Sequence, residues 1–336
     1  MVKIALDIMG GDDAPEVTIQ AADLALSDKE DLELVLFGDE AIIRSQLKAT
    51  SRVEIVGTSE VITGEDEPVS SIRRKKDASM VVAARAVKEG QADGLVSAGN
   101  TGALLAAGLL IIGRMKNVQR PGLMAMLPTL TQEADHVIMM DVGANADTKA
   151  ENMHQFAILA NFYASQVLGK KNPRIGLLNN GTEEGKGSSL TKEAFQLLKT
   201  EKSINFIGNI EAKELLKGGV DIVISDGFTG NAVLKAIEGS LSSIAHFVKE
   251  TLLNSGLSAK LGAGLALRAL KKKIKTMDLS TTGGAVLLGV KQPVIKAHGS
   301  SDAQALKDAI LQAASVVESG ATQVTSHYFD NLSAQD

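Results

Sequence analysis

Apolar residues in this chain cluster into short Val-, Ile- and Leu-rich runs rather than alternating with polar ones. The runs cover residues 3–8, 32–37, 53–56, 94–97, 137–141, 174–178, 204–207, 221–225 and 293–297. Each is too short for a helix and too uniformly apolar for a half-exposed strand. Between them lie stretches with helical spacing. Val81, Ala84, Val87 and Lys88 fit one helix, and Leu190, Phe195, Leu198 and Lys199 another. Strands alternating with helices predict a mostly parallel sheet covered on both faces. One helix is long: Val233, Leu234, Ile237, Leu241, Ile244, Val248 and Leu252 keep an apolar rhythm over about 230–253. At 1.5 Å per residue it would reach roughly 35 Å, so its far end is expected to project from the body.

Composition narrows the function classes. The chain has 336 residues, a formal charge of −5, no cysteine, 3% aromatics and six prolines. The length allows one large α/β domain, and no Pro/Gly/Ser linker divides it. Without cysteine there is no disulfide scaffold, thiolate metal site or cysteine nucleophile. Few aromatics and a mildly acidic charge argue against nucleic-acid binding. The longest apolar run, 102–113, has 12 residues, against about 18 or more for a membrane span. It reads as a buried helix. No leader pattern opens the sequence, and a cytoplasmic protein is expected.

Candidate chemistry lies where the runs stop. The first ends in MGGDDAPE, with Asp7, Gly10, Gly11 and Asp12. The others lead into AGNTGA (Ser97, Asn100, Thr101, Gly102), VGANAD (Asp141, Asn145), NNGTEEGKGSS (Asn180, Thr182, Lys186), DGFTGNA (Asp226, Thr229, Gly230, Asn231) and HGSSDA (His298, Ser300). In a parallel sheet all six loops would share one edge, where ligands of open α/β sheets bind. Glycines admit close backbone approach and helix N-termini favour anions, so a wide cleft for a phosphate-bearing ligand is expected. Turn and capping demands explain such residues equally well loop by loop. Asp13 to Glu16 reads as a capping box with proline in the first turn.

Several signatures are absent. In GTEEGKGS, three residues rather than four separate Gly181 from Gly185, and Gly187 stands where a P-loop needs a hydroxyl. No strand is followed by G-x-G-x-x-G, and there is no G-x-S-x-G elbow. The five histidines form no i, i+4 pair, so no metal site is expected. Lys186, inside a glycine-rich loop, is placed to pair with a phosphate or else is a solvated lysine. His298 is placed to donate to a substrate oxygen or else holds its loop.

Seven stretches, in order, resemble the bacterial phosphate acyltransferase family, the acyl-carrier-protein:phosphate transacylases. They are DIMGGDDAP, SAGNTGA, DVGAN, NNGTEEGKG, DGFTGN, GGAVLLG and HGSSD, and they span nearly the whole chain. Ala78 departs from the family, which tends to carry serine there. The resemblance implies a three-layer α/β/α sandwich of the isopropylmalate dehydrogenase type. It implies a single catalytic domain over 1–336, usually homodimeric and without cofactor. The implied reaction is acyl thioester plus inorganic phosphate giving acyl phosphate and free thiol. The donor would be acyl carrier protein, and the product would pass to a membrane glycerol-3-phosphate acyltransferase. Within it, Lys186 is expected to carry phosphate and oxyanion charge, with Asn231 and His298 as orienting donors. A phosphotransacetylase-like enzyme using coenzyme A thioesters and a phosphate-binding protein without chemistry are the alternatives.

One segment contradicts the acidic average. Residues 251–277 hold six basic side chains and no acid, so −5 averages a body of −11 and a segment of +6. Arg268, Lys271, Lys272 and Lys275 share one helical face. Leu253, Leu257 and Leu261 make an apolar stripe, and Leu265 extends the apolar set. A protruding basic amphipathic helical segment over about 250–278 is expected. It would meet an anionic bilayer peripherally, dock the acidic carrier protein, or both, unless it is a hairpin with a solvated basic face. Arg73, Arg74, Lys75 and Lys76 are a second candidate contact.

Overall fold

The computed structural model describes residues 1–49, 51–130, 136–253 and 283–332. The strands are β1 (Val2–Asp7), β2 (Leu32–Gly38), β3 (Val53–Gly57), β4 (Gly94–Ser97), β5 (Gly122–Pro128), β6 (His136–Met140), β7 (Arg174–Asn179), β8 (Asn205–Glu211), β9 (Ile222–Ile224), β10 (Ala285–Leu288) and β11 (Val294–Lys296). They form one sheet in the order β3-β2-β1-β4-β11-β10-β5-β6-β9-β7-β8. All nine apolar runs of the sequence become strands. β5 and β10 are additional, and they sit at the centre of the sheet. Their runs are bounded by Pro121 and Pro128 and by paired glycines, so their sequence reads as loop.

The helices are α1 (Glu16–Asp28), α2 (Glu40–Gln46), α3 (Pro68–Arg74), α4 (Ser79–Lys88), α5 (Thr101–Ala107), α6 (Ala150–Gln166), α7 (Ser189–Thr200), α8 (Gly227–Leu253), α9 (Ala303–Glu318) and α10 (Ala321–Leu332). The two-residue period of the strands divides the core between the faces of the sheet. Ile4, Leu6, Leu34 and Leu36 pack with α1, α6 and α9, while Ala5, Val35 and Phe37 face α4 and α5. Over the second half of the sheet, Val137, Met139 and Val223 pack under Leu215 and under Val233, Leu234 and Ile237 of α8. Helices cover both faces, which is the expected three-layer α/β/α arrangement.

Three expectations need correction. First, the sheet does not keep one direction. Three successive pairings, β11 with β10, β10 with β5 and β5 with β6, are antiparallel, so β3, β2, β1, β4 and β11 run one way and β6, β9, β7 and β8 the other. The six loops therefore fall into two sets of three instead of sharing one sheet edge. Twist of about 20–25° per strand, summed from β1 to β9, turns strand direction by roughly 120–150°. The reversal thus does not by itself send the two sets to opposite ends of the molecule. Leu105 of α5 and Ala144 after β6 each pack against the cores of both halves.

Second, no capping box forms at α1. Pro15 is the N-cap, without a side-chain cap bond. Thr18 Oγ1 instead donates to the carbonyls of Ile8 at 2.6 Å and Pro15 at 2.8 Å. Third, the 102–113 run is not one uniform buried helix. α5 passes into a π-helical turn at Gly108–Gly113, and Leu110 is 50% exposed. Gly108 allows this turn to lie against β10, since a Cβ there would sit 2.6 Å from Leu287 Cδ2.

The long helix α8 starts three residues earlier than its apolar rhythm suggests and spans 27 residues, about 40 Å. Its first turns are packed, but Ile244 is 60% exposed, Phe247 69% and Val248 43%. The far half thus stands clear of the body, as its length predicts. Among the described residues no helix is long and apolar enough to cross a membrane. The segment carrying Leu257, Leu261, Leu265, Arg268, Lys271, Lys272 and Lys275 lies outside the described residues.

Candidate active site

The first set of loops follows β1, β4 and β11 and is built on a buried carboxylate. Asp7, at the end of β1, accepts from Ser79 Oγ and from Ser97 Oγ, each at 2.6 Å. Ser97 Oγ in turn accepts from the Gly99 amide at 3.0 Å. Burial pushes the Asp7 carboxyl up, and the two hydroxyl donors pull it back. A Cβ at Gly10 would lie 2.5 Å from Asp7 Oδ2 and 2.7 Å from the Gly99 nitrogen, so the two loops interlock only through glycine. The Asp12 amide donates to the Gly299 carbonyl at 2.8 Å, which ties in the loop after β11. Gly11 holds φ at +124°, in the region that favours glycine.

Asn100 is committed structurally. Its Oδ1 caps α5 through the Ala103 amide at 3.0 Å. Its Nδ2 donates to Thr63 O at 2.9 Å and Asp66 O at 3.2 Å, which pins the segment leading to α3. Gly102 lets Pro68 of α3 close against α5. Thr101 is exposed at the same helix start. His298 and Ser300 are also exposed. His298 Nδ1 accepts from the Ser300 amide at 3.3 Å and lies 2.9 Å from Ser300 Oγ. The neutral ring therefore carries its proton on Nε2, free to donate outward.

The second set follows β6, β7 and β9. Asp141 is wholly buried, yet its carboxylate meets five donors. Oδ1 accepts from the amides of Leu123 at 3.0 Å, Gly143 at 3.1 Å and Ala144 at 2.9 Å. Oδ2 accepts from the Asn145 amide and Nδ2, both at 2.8 Å. Burial pushes this carboxyl up as well, against the pull of those donors. A group so saturated shapes the loop and has no capacity left for substrate. The Asp226 carboxylate accepts from the Thr229 amide at 2.8 Å at the start of α8. Gly230 presses on the Asp141 carbonyl, where any Cβ would collide. The side chain of Asn231 thereby comes next to Gly143, whose φ is +135°.

Lys186 sits exposed in the loop after β7, its carbonyl accepting from Asn179 Nδ2 at 3.2 Å. Asn180 and Thr182 are exposed beside it. Among the described residues no hydrogen bond joins Lys186, Asn231 and His298. Lys186 stands on the loop after β7, Asn231 in the first turns of α8, and His298 on the loop after β11. Among the described residues, no group of three or more His, Asp or Glu side chains could hold a metal ion.

Two residues escaped sequence reasoning. Ser79 is one of the partners of Asp7. Lys296, the last residue of β11, lies under the first loop set, its Nζ donating to the carbonyls of Ala98 and Ala297. Burial, countered by nearby Asp12 and Asp7, brings its ammonium down to about 8. The available signal was a lone charge inside the apolar run 293–297.

Residues 2–324 match the family described as fatty acid synthesis protein. A phosphate acyltransferase of Streptococcus suis (strain 05ZYH33) is 55% identical over 320 residues, 95% of either chain. A phosphate acyltransferase of Pediococcus pentosaceus is 53% identical over 330 residues, 98% of this chain and 95% of its own. Among solved structures, a phosphotransacetylase from Streptococcus pyogenes superposes with a TM-score of 0.61 at 18% identity, covering 94% of each chain. At that identity the likeness concerns the fold. With two glycine-rich loop sets on an α/β/α sandwich and sequence agreement over nearly its full length, this chain belongs to the fatty acid synthesis protein family, among acyltransferases.

Proposed function

We propose that this protein transfers a fatty acyl group from the thioester of acyl carrier protein to inorganic phosphate, for phospholipid synthesis. The observation that carries this reading is the full-length agreement with phosphate acyltransferases at 53–55% identity. The family match, residues 2–324, spans all seven loop motifs of this chain. A phosphate oxygen attacks the thioester carbonyl carbon and a tetrahedral oxyanion forms. The C–S bond then breaks, leaving acyl phosphate and a thiolate that takes up a proton. A thiol has a pKa near ~8.5, so its departure needs little acid assistance, and no acyl-enzyme is required. Catalysis then rests on holding phosphate in line with the carbonyl and on donors for the oxyanion.

Lys186 supplies the charge that binds phosphate. Asn231, set by the Asp141 loop, and His298, donating from Nε2, orient the reacting groups. Thr101, Thr182 and Thr229 are exposed hydroxyls at the same strand ends and helix starts. Asn100, Asp141 and Asp226 act by shaping loops, because their side chains are already engaged. The exposed far half of α8 supports a homodimer built there. The basic and apolar sequence pattern over about 250–278 suits peripheral membrane contact, docking of the acidic carrier, and delivery of product to a membrane acyltransferase.

Thiol release tests the donor and the acceptor together. Long-chain acyl carrier protein should release thiol only with phosphate present, and faster than acyl- or acetyl-coenzyme A. Faster release from acetyl-coenzyme A would favour a phosphotransacetylase-like enzyme. Phosphate binding without release from any donor would leave only a binding protein.

A further inference from the structure

Lys296 is a cation set among the loops after β1, β4 and β11. Its strand neighbours Val294 and Ile295 are buried, as an apolar strand requires. Its Nζ donates to Ala98 O, in the loop after β4, at 3.2 Å, and to Ala297 O, at the start of the loop after β11. The carboxylates facing it are Asp7 and Asp12, both from β1 and its loop. Asp7 accepts from two serine hydroxyls, the pattern of an ionised carboxylate. The same three segments are joined by Asp12 N to Gly299 O at 2.8 Å and Ala297 N to Ser97 O at 3.0 Å.

Without a cation here, the buried Asp7 carboxylate and two carbonyl oxygens would lie close together without a counter-charge, with the exposed Asp12 carboxylate nearby. Such a cluster would open, and the loop that carries His298 would lose one of its anchors. His298 follows Ala297 directly, and Ala297 supplies one of the two carbonyls that hold the ammonium.

We propose that Lys296 is a positioning residue for the acyl-transfer reaction, its ammonium clamping the three loops so that His298 presents Nε2–H to the reacting groups. The inference rests on the function proposed above. Lys296 does not touch substrate and acts through the loop it holds. Its lowered proton affinity, about 8, places loss of the clamp just above neutral pH, with Asp7 and Asp12 as the charged groups that face it.

Steady-state kinetics on the full-length protein, with acyl carrier thioester and phosphate varied, distinguish this from a purely structural lysine. Lys296→Met should lower kcat about tenfold or more, with KM for phosphate changed less than about threefold. Lys296→Arg keeps a charge at all accessible pH and should restore much of kcat. Wild type should lose kcat as pH rises through about 8, and Lys296→Arg should lack that limb. A folded Lys296→Met with wild-type kcat would overturn the proposal, as would an alkaline limb shared by wild type and Lys296→Arg. If Lys296→Met fails to fold, the comparison of pH limbs still decides. A wild type without phosphate-dependent thiol release would instead sink the function proposed above and leave the clamp geometry untouched.

Discussion

The hydroxyl of Ser97 donates to Oδ2 of Asp7 at 2.6 Å, joining the ends of β4 and β1 across 90 residues of chain. Ser79 holds the other oxygen at the same distance, so one buried carboxylate organises two strands and the start of α4. Asp7→Ala would strand both buried hydroxyls without an acceptor. An unsatisfied buried donor costs about 1–3 kcal/mol, so a loss of about 3 kcal/mol or more is expected. Ser97→Ala should cost about half as much. Urea unfolding followed by circular dichroism measures both, and equal effects would contradict the shared-acceptor arrangement.

Acid should weaken the fold partly through Asp221. Burial raises its pKa, but hydrogen bonds from Arg174 and Lys170 outweigh that and hold it at about 2 against an ordinary 3.8. The folded-state pKa is the lower one. The stabilisation is therefore complete above about pH 4 and lost as pH falls toward 2, worth about 2 kcal/mol. Asp221→Asn should be less stable at pH 7 by a similar amount, with a flatter stability profile between pH 5 and 2. An unchanged profile would remove the ion pair as its cause.

Lys186→Ala tests the proposed phosphate contact. A charge-assisted bond to phosphate lost from the site should raise KM for phosphate by about tenfold or more, with little effect on the melting temperature. Phosphate-dependent turnover near the wild-type level would refute the role.

The pressure of Gly230 on the Asp141 carbonyl makes Gly230→Ala informative. The added methyl group has no space, and overpacking of this kind costs about 1–3 kcal/mol. Because Asn231 is the next residue, kcat should fall along with thermal stability. Lower stability with an unchanged kcat would show that the Asn231 side chain is not needed in its place.

The far half of α8 should matter for assembly rather than for folding of the body. Phe247→Ser combined with Ile244→Ser removes exposed apolar surface and should lower the solution mass toward that of one chain. Light scattering with size-exclusion chromatography reads this directly. A mass unaffected by the double substitution would place any dimer contact elsewhere.

Much of the strand-end framework of the candidate site could be read before folding, and the reasons are local. Glycine, asparagine and aspartate after an apolar run mark a strand-end loop wherever that run pairs. Lys186, Asn231 and His298 were singled out on that basis. Lys186 and His298 lie on the loops after β7 and β11, whereas Asn231 falls in the first turns of α8. The roles of Ser79 and Lys296 were not legible for the opposite reason, although Lys296 is a lone charge in its apolar run. Their significance comes from Asp7 and Asp12, which lie about 70 and 280 residues away in the chain. No local pattern encodes that proximity.

The amino-acid sequence by itself determined the α/β class, nine of the strands, the long projecting helix, the glycine-rich loops and the family. These follow from periodicity, turn chemistry and motif order, all short-range properties of the chain. Tertiary structure alone decided that β11, β10, β5 and β6 pair antiparallel in succession, which splits the loops into two sets. It also decided that Asp141 is spent on holding its own loop and that a lysine lies beneath the other set. The physical reason is that strand direction and charge pairing depend on which distant segments meet, and hydrophobic patterning does not specify that choice.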